Sequence, residues 1–206
     1  MTFIYAFGSI VRGEYDQYSD IDLLAIVDRF DERFDRKKFS IYSIERIREL
    51  WEEGNPFAWH LFSESKMIHS SNGKNPIFNL GQPNQYVNGK EDCEKFKLLF
   101  LHSKERIFAN TKSSTFELST IFLAIRNFAT CFYLAKNKIG IFSRNSARMI
   151  DQWSLLLPDR FFEITKNCRV MSTRGIGNAI NQDDLKYISS HLETIENWMI
   201  FLEKEI

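Results

Sequence analysis

Two neighbouring stretches decide the reading: Phe3-Ile4-Tyr5-Ala6-Phe7-Gly8-Ser9-Ile10-Val11-Arg12-Gly13, and then Ser19-Asp20-Ile21-Asp22-Leu23-Leu24-Ala25-Ile26-Val27. The first is a short apolar run stopped by a glycine, as expected of a strand covered on both faces. Gly8-Ser9 then opens a short segment, Ile10 to Gly13, able to hold one or two helical turns with Ser9 near the N-cap. A strand that ends in Gly-Ser and enters a helix presents backbone N–H groups and a hydroxyl to an anion. Glycine matters there because a side chain would keep a phosphate away from the backbone.

In the second stretch an apolar strand, Ile21 to Val27, begins with two acids. Residues two apart in a strand face the same way, about 6–7 Å apart, so Asp20 and Asp22 are expected to project together. Left alone they repel each other, and a shared cation resolves the repulsion. Hard carboxylate oxygens at that spacing suit divalent ions about 3.5–4 Å apart, one at an attacking oxygen and one at a triphosphate. The bland alternative is a turn glycine and a solvated strand end.

Working outward, Phe39-Ser40-Ile41-Tyr42 reads as a third strand. Ser43 reads as the cap of a helix through Trp51, with Ile44, Ile47, Leu50 and Trp51 at helical spacing and Gly54 as its stop. Trp59 to Ile68 is the expected fourth strand. Ser70 to Gly89, rich in turn signals, reads as a long connection with a boundary near Gly89. Beyond it long helices are expected over 91–110, 116–136, 146–157 and 183–205. The last carries Leu185, Ile188, Leu192, Ile195, Trp198, Met199 and Leu202 as an amphipathic stripe. The expected fold class is α/β (α+β): a small mixed-sheet domain over 1–89, then a C-terminal helical bundle over 90–206.

Gly-Ser, a nearby Arg-Gly, and Ser-Asp-x-Asp-Leu starting ten residues after Ser9 resemble the signature of the minimal nucleotidyltransferases of the DNA polymerase beta superfamily. That resemblance implies magnesium-dependent (or manganese-dependent) transfer of a nucleoside monophosphate from a nucleoside triphosphate, ATP among them, to a hydroxyl. It implies Gly8 and Ser9 as triphosphate-binding residues and Asp20 and Asp22 as metal-binding, catalytic carboxylates. Arg12 is placed to neutralise phosphate charge, with a plain surface role as its alternative, and Ser19 to shape the strand entrance. Such proteins usually carry a third acid on the following strand, where this chain has Ser40 and Tyr42. Glu45 and Glu64 are the candidate substitutes, and both have local readings: a helix start for Glu45, and an ion pair for Glu64, here expected on the fourth strand.

Pro56-Phe57-Ala58-Trp59-His60-Leu61-Phe62-Ser63-Glu64 also looks like small bacterial nucleotidyltransferase-like proteins. His60 there reads either as a polar site residue or as a hydrogen-bonded histidine beneath the helices. In the second half, Arg126-Asn127-Phe128-Ala129-Thr130-Cys131 resembles the Arg-Asn-x-x-x-His motif of the helical HEPN ribonucleases, with Cys131 at the histidine position. A thiol at its ordinary pKa is a poor substitute for imidazole, which disfavours ribonuclease chemistry. Phe142-Ser143-Arg144 and Arg174-Gly175-Ile176-Gly177 are candidate cleft-lining segments.

Composition narrows the alternatives. Lys plus Arg and Asp plus Glu are both 27, so no global field favours a long polyanion. The three cysteines are widely spaced and show no zinc or disulfide pattern. The start lacks a basic leader region, and no stretch is read as approaching the eighteen or so apolar residues of a membrane span. A cytoplasmic protein is therefore expected, with a nucleoside triphosphate as ligand, an unspecified acceptor, no membrane, and a homodimer or toxin partner as further candidates. The competing function is a catalytically weakened nucleotide-binding or toxin-neutralising module of the same fold.

Overall fold

A computed structural model describes residues 1–15, 21–29, 31–109 and 113–206. The chain divides into two compact units: 1–87 together with 138–143, and 88–137 together with 144–206. The return of 138–143 to the first unit departs from a division of the chain at Gly89 alone.

In the first unit, β1 (Thr2–Phe7), β2 (Asp22–Val27), β3 (Phe39–Tyr42) and β4 (Lys66–Ser70) form a four-stranded sheet in the order β3-β2-β1-β4. β1 is antiparallel to β2 and β4, while β2 runs parallel to β3, so the sheet is mixed. The register sets Phe3 opposite Ile26, Tyr5 opposite Leu24 and Phe7 opposite Asp22. Strand alternation therefore puts Phe3, Tyr5, Phe7, Leu24 and Ile26 on one face. They pack there against Ile47, Leu50 and Trp51 of α2 (Ile44–Glu52) and Ala58 and Leu61 of α3 (Pro56–Glu64). Each such side chain removed from water contributes about 1.5–3 kcal/mol. The same alternation delivers Asp22 to the end of that face, where the strand leaves the core and the side chain is exposed.

α2 starts as the sequence suggests: Ser43 Oγ accepts from Arg46 N at 3.1 Å. The expected strand over 59–68 is corrected. Residues 56–64 form α3, begun by Asn55, whose Oδ1 accepts from Phe57 N at 2.9 Å, with Pro56 in the first turn. An apolar run this short is ambiguous between strand and helix by periodicity, and the Asn-Pro start decides it. Glu64 thus ends a helix instead of lying on a strand, and His60 sits one turn before it. The 70–89 connection contains α4 (Pro76–Leu80) and is pinned to α2 and α3 by Trp51 Nε1 to Gly81 O at 2.8 Å and Trp59 Nε1 to Asn84 O at 3.1 Å.

The second unit is helical: α5 (Gly89–Phe108), α6 (Ser114–Asn137), α7 (Asp159–Arg174), α8 (Gln182–Ser189) and α9 (Leu192–Glu203). α6 is its central element, burying Leu118, Ile121, Ala124, Ile125, Phe128, Phe132 and Leu134. It is long and apolar enough to cross a membrane by length and composition, which corrects the reading that no stretch approaches that limit. Most of its apolar window is buried in the protein, as in a core helix.

Two other helices differ from expectation. Residues 146–157 form two short 3-10 turns, Ser146–Arg148 and Asp151–Trp153, with Asp151 at φ 52. Pro158 also biases Leu157 away from helix, and it opens α7, which the hydrophobic pattern did not reveal. The stripe over 183–205 is split at Ser190-His191. There Ser190 Oγ donates to Tyr187 O at 2.8 Å, a side-chain bond that competes with helix continuation.

Candidate active site

β1 ends in Gly8, which has φ 74 and ψ −147, a conformation essentially reserved to glycine. α1 (Ser9–Arg12) is a single turn, closed by Gly13 in the left-handed region. Its own hydrogen bonds begin at Val11 N and Arg12 N, both donating to Gly8 O at 3.1 and 3.3 Å. The N–H groups of Ser9 and Ile10 precede those bonds, the usual position of amides that receive an anion. Ser9 stands at the first helical position, one place later than the cap expected from the sequence, and Gly8 takes the cap position.

Asp22 meets this turn. A β-carbon built on Gly8 would stand 3.3 Å from Asp22 Cγ and still closer to its Oδ2. Glycine is required at position 8 for its backbone angles and also because the Asp22 carboxylate occupies the space beside it. One carboxylate of the expected pair is thus placed against the candidate phosphate turn. Asp20 and Ser19 lie outside the described residues. Among the described residues, no group of three or more histidine, cysteine or carboxylate side chains is arranged to hold a metal ion.

On β3, Ser40 lies opposite Leu24 and Tyr42 opposite Ile26, so the strand beside β2 brings no acid to Asp22. Glu45 sits exposed in the first turn of α2, where its charge favours the helix start.

Arg12 and Glu64, which the sequence offers separately as phosphate-binding and metal-binding candidates, are brought to each other. Arg12 Nη1 is paired with Glu64 Oε2, and Arg12 Nε donates to Glu14 Oε2 at 3.0 Å. The guanidinium is therefore met by two carboxylates. His60 Nε2 also lies 2.9 Å from Glu64 Oε2, close but poorly aligned for a hydrogen bond. Burial pushes the Glu64 carboxyl up, but His60 and Arg12 outweigh it and hold the group below its ordinary value of 4.5.

Three further residues complete the surroundings, and their role needed the structure. The His60 ring is met edge-on by Phe7, with centroids 5.4 Å apart, and is stacked on Phe142 at 4.6 Å and 15°. Ser143 Oγ donates to Glu14 Oε2 at 2.8 Å. Phe142 folds back over Gly140, where any β-carbon would collide with the ring. The sequence offers Phe142 and Ser143 as cleft-lining candidates, and the structure sets them against His60 and Glu14 of the first unit.

Residues 2–75 match the family described as "Nucleotidyltransferase domain". No curated protein matches the chain. Among solved structures, the chain is similar to a spectinomycin adenyltransferase, AAD(9), from Enterococcus faecialis, determined with ATP and spectinomycin. The TM-score is 0.47 and the identity 12%, over 96% of this chain and 91% of that one. The glycine turn, strand β2 and Asp22 all fall inside the segment that matches the nucleotidyltransferase domain family.

Proposed function

We propose that this domain transfers a nucleoside monophosphate from a nucleoside triphosphate to an acceptor hydroxyl with the help of a divalent cation. The observation that carries the reading is that the Asp22 carboxylate occupies the space a β-carbon on Gly8 would take, because it sets an anionic oxygen beside a turn suited to phosphate. An exposed aspartate beside such a turn is the donor chemistry that magnesium or manganese prefers. Asp22, with Asp20, would hold the ion, which when bound supplies charge neutralisation for the triphosphate.

The chain's own contributions are separable. Gly8 lets the backbone approach the phosphates, and the Ser9 hydroxyl and first-turn amides donate to them. The Arg12 charge is already met by Glu14 and Glu64, and Arg12 would accordingly hold the turn rather than the ligand. Preorganised donors aimed at transferring phosphoryl groups are the main source of catalysis in such sites.

The test pairs binding with turnover. Magnesium and a nucleoside triphosphate should raise the melting temperature, and Asp20→Asn with Asp22→Asn should remove the magnesium-dependent part of the rise. Labelled triphosphates, magnesium and cell extract should yield a labelled acceptor and pyrophosphate, both lost in Asp22→Asn. An equal thermal shift in wild type and double variant would exclude this metal site. A second reading, a nucleotide-binding or toxin-neutralising module without full turnover, is favoured by Ser40 and Tyr42 on β3. Magnesium-dependent binding without labelling by any of the four nucleotides would select it.

A further inference from the structure

The segment 138–143 leaves the helical half of the sequence and belongs to the compact unit that contains the glycine turn. Its last two residues are buried, and each touches a different arm of one network. Ser143 Oγ donates to Glu14 Oε2 at 2.8 Å, across 129 positions of sequence, and the same oxygen accepts from Arg12 Nε at 3.0 Å. Phe142 stacks on His60, which lies 2.9 Å from Glu64, and Glu64 holds the other end of the Arg12 guanidinium. Both arms converge on Arg12, the last residue of the turn that begins at Ser9.

We propose that Phe142 and Ser143 are positioning residues for the phosphate turn, acting through Glu14, His60 and Glu64 on Arg12. Glu64 is a member of this network and not a third metal ligand. The assignment of phosphate as the turn's ligand rests on the nucleotide-transfer reading above; the ordering of the turn does not.

The physical case is one of entropy. A single helical turn between two positive-φ glycines, Gly8 and Gly13, has little stability of its own, because nucleating a turn fixes several residues for few hydrogen bonds. Anchoring its last side chain from two sides restricts it before a ligand arrives, so less ordering remains to be done on binding. The planar guanidinium suits this use, since its fork can take two carboxylates in fixed directions. Gly140 belongs to the same device: its missing side chain is what lets the Phe142 ring lie over it.

The experiment compares wild type with Ser143→Ala, Phe142→Leu, Gly140→Ala and, as a control in the same unit but outside the network, Tyr5→Phe. Tyr5 Oη donates to Asn75 Oδ1 at 2.8 Å, in contacts that do not include the network. Two quantities are read in the full chain: hydrogen exchange at the amides of residues 11–14, and the Kd for magnesium-ATP. Ser143→Ala, Phe142→Leu and Gly140→Ala should speed exchange at 11–14 and weaken magnesium-ATP about three- to ten-fold, the size of one ordinary hydrogen bond. Tyr5→Phe should lower stability without either effect. Glu64→Gln should raise Kd and KM more than it lowers kcat, the reverse of losing a metal ligand.

Unchanged exchange at 11–14 in Ser143→Ala and Phe142→Leu would overturn the proposal. So would an equal rise in Tyr5→Phe, which would reduce the effect to general loosening. If wild type fails to bind magnesium-ATP, the nucleotide-transfer reading falls, while the exchange data still decide whether 142–143 order the turn.

Discussion

The Asp22 carboxylate fills the place where a β-carbon on Gly8, a residue fourteen positions earlier in the chain, would stand. β1 and β2 are antiparallel neighbours with Phe7 opposite Asp22, so the end of one strand and the beginning of the other must lie side by side. The glycine turn and the carboxylate are consequently one structural unit, and position 8 has two separate reasons to lack a side chain.

Those two reasons can be pulled apart by comparing Gly8→Ala with Gly13→Ala. Both glycines have φ 74, but a β-carbon on Gly13 meets nothing within 4 Å. Gly13→Ala should therefore cost only backbone strain, about 1–2 kcal/mol in a denaturant melt, and keep nucleotide affinity. Gly8→Ala should cost about 1–3 kcal/mol from its angles and in addition displace Asp22. Nucleotide binding by Gly8→Ala at the wild-type Kd would show that the closeness to Asp22 has no part in the site.

Ser9→Ala should weaken triphosphate binding more than monophosphate binding. One hydrogen bond to a neutral acceptor is worth about 1 kcal/mol and one to a charged phosphate about twice that. Calorimetric titration with both ligands measures the difference. Equal losses would move the distal phosphates away from Ser9.

Glu64 links stability to pH with a definite sign. Its folded pKa is depressed below 4.5, so the stabilisation is fully present above that value and is lost as pH falls through the lower, folded value. Glu64→Gln should be less stable than wild type at neutral pH, by about 1–3 kcal/mol. The gap should close in acid, as pH falls below about 4.5. Denaturant midpoints across pH 3 to 7 would reveal it, and a constant gap would mean that the pairing is not what stabilises Glu64.

Asn55→Ala tests the start of α3. Removing the Oδ1 that receives Phe57 N should cost about 1 kcal/mol, as expected for an N-cap. Because α3 carries both His60 and Glu64, fraying that end should leave the far-end pairing with Arg12 largely intact. A parallel loss of nucleotide affinity would show that the whole helix must be rigid for the site to work.

What the sequence disclosed and what it hid follow from the range of the interactions. β1, β2, β3 and the Ser43-capped helix are set by neighbours within a few residues, and their patterns were plain. The mixed sheet followed by helices was therefore readable as a class. The closeness of Gly8 and Asp22 needed the structure, because it depends on the antiparallel register that sets Phe7 opposite Asp22. At 59–68 the apolar run suppressed the signal of Asn55-Pro56, and the helix was read as a strand. α7 was missed because its cues, Pro158 before it and Gly175 after it, lie at its ends rather than in its apolar spacing. The pairing of Arg12 with Glu64, and of Glu14 with Ser143, spans 52 and 129 positions, and no local pattern encodes such contacts.

All three cysteines are buried, and burial raises the thiols of Cys93 and Cys168, the latter to about 11. The thiolate is the reactive form, so in the folded protein these two sulfurs resist alkylating reagents at neutral pH. A cysteine placed on the exposed surface, for instance Lys90→Cys at the start of α5, would then accept a fluorophore selectively in the wild-type background. The native thiols would become reactive only when the chain opens, giving a chemical clock for unfolding in the same molecule that carries the dye.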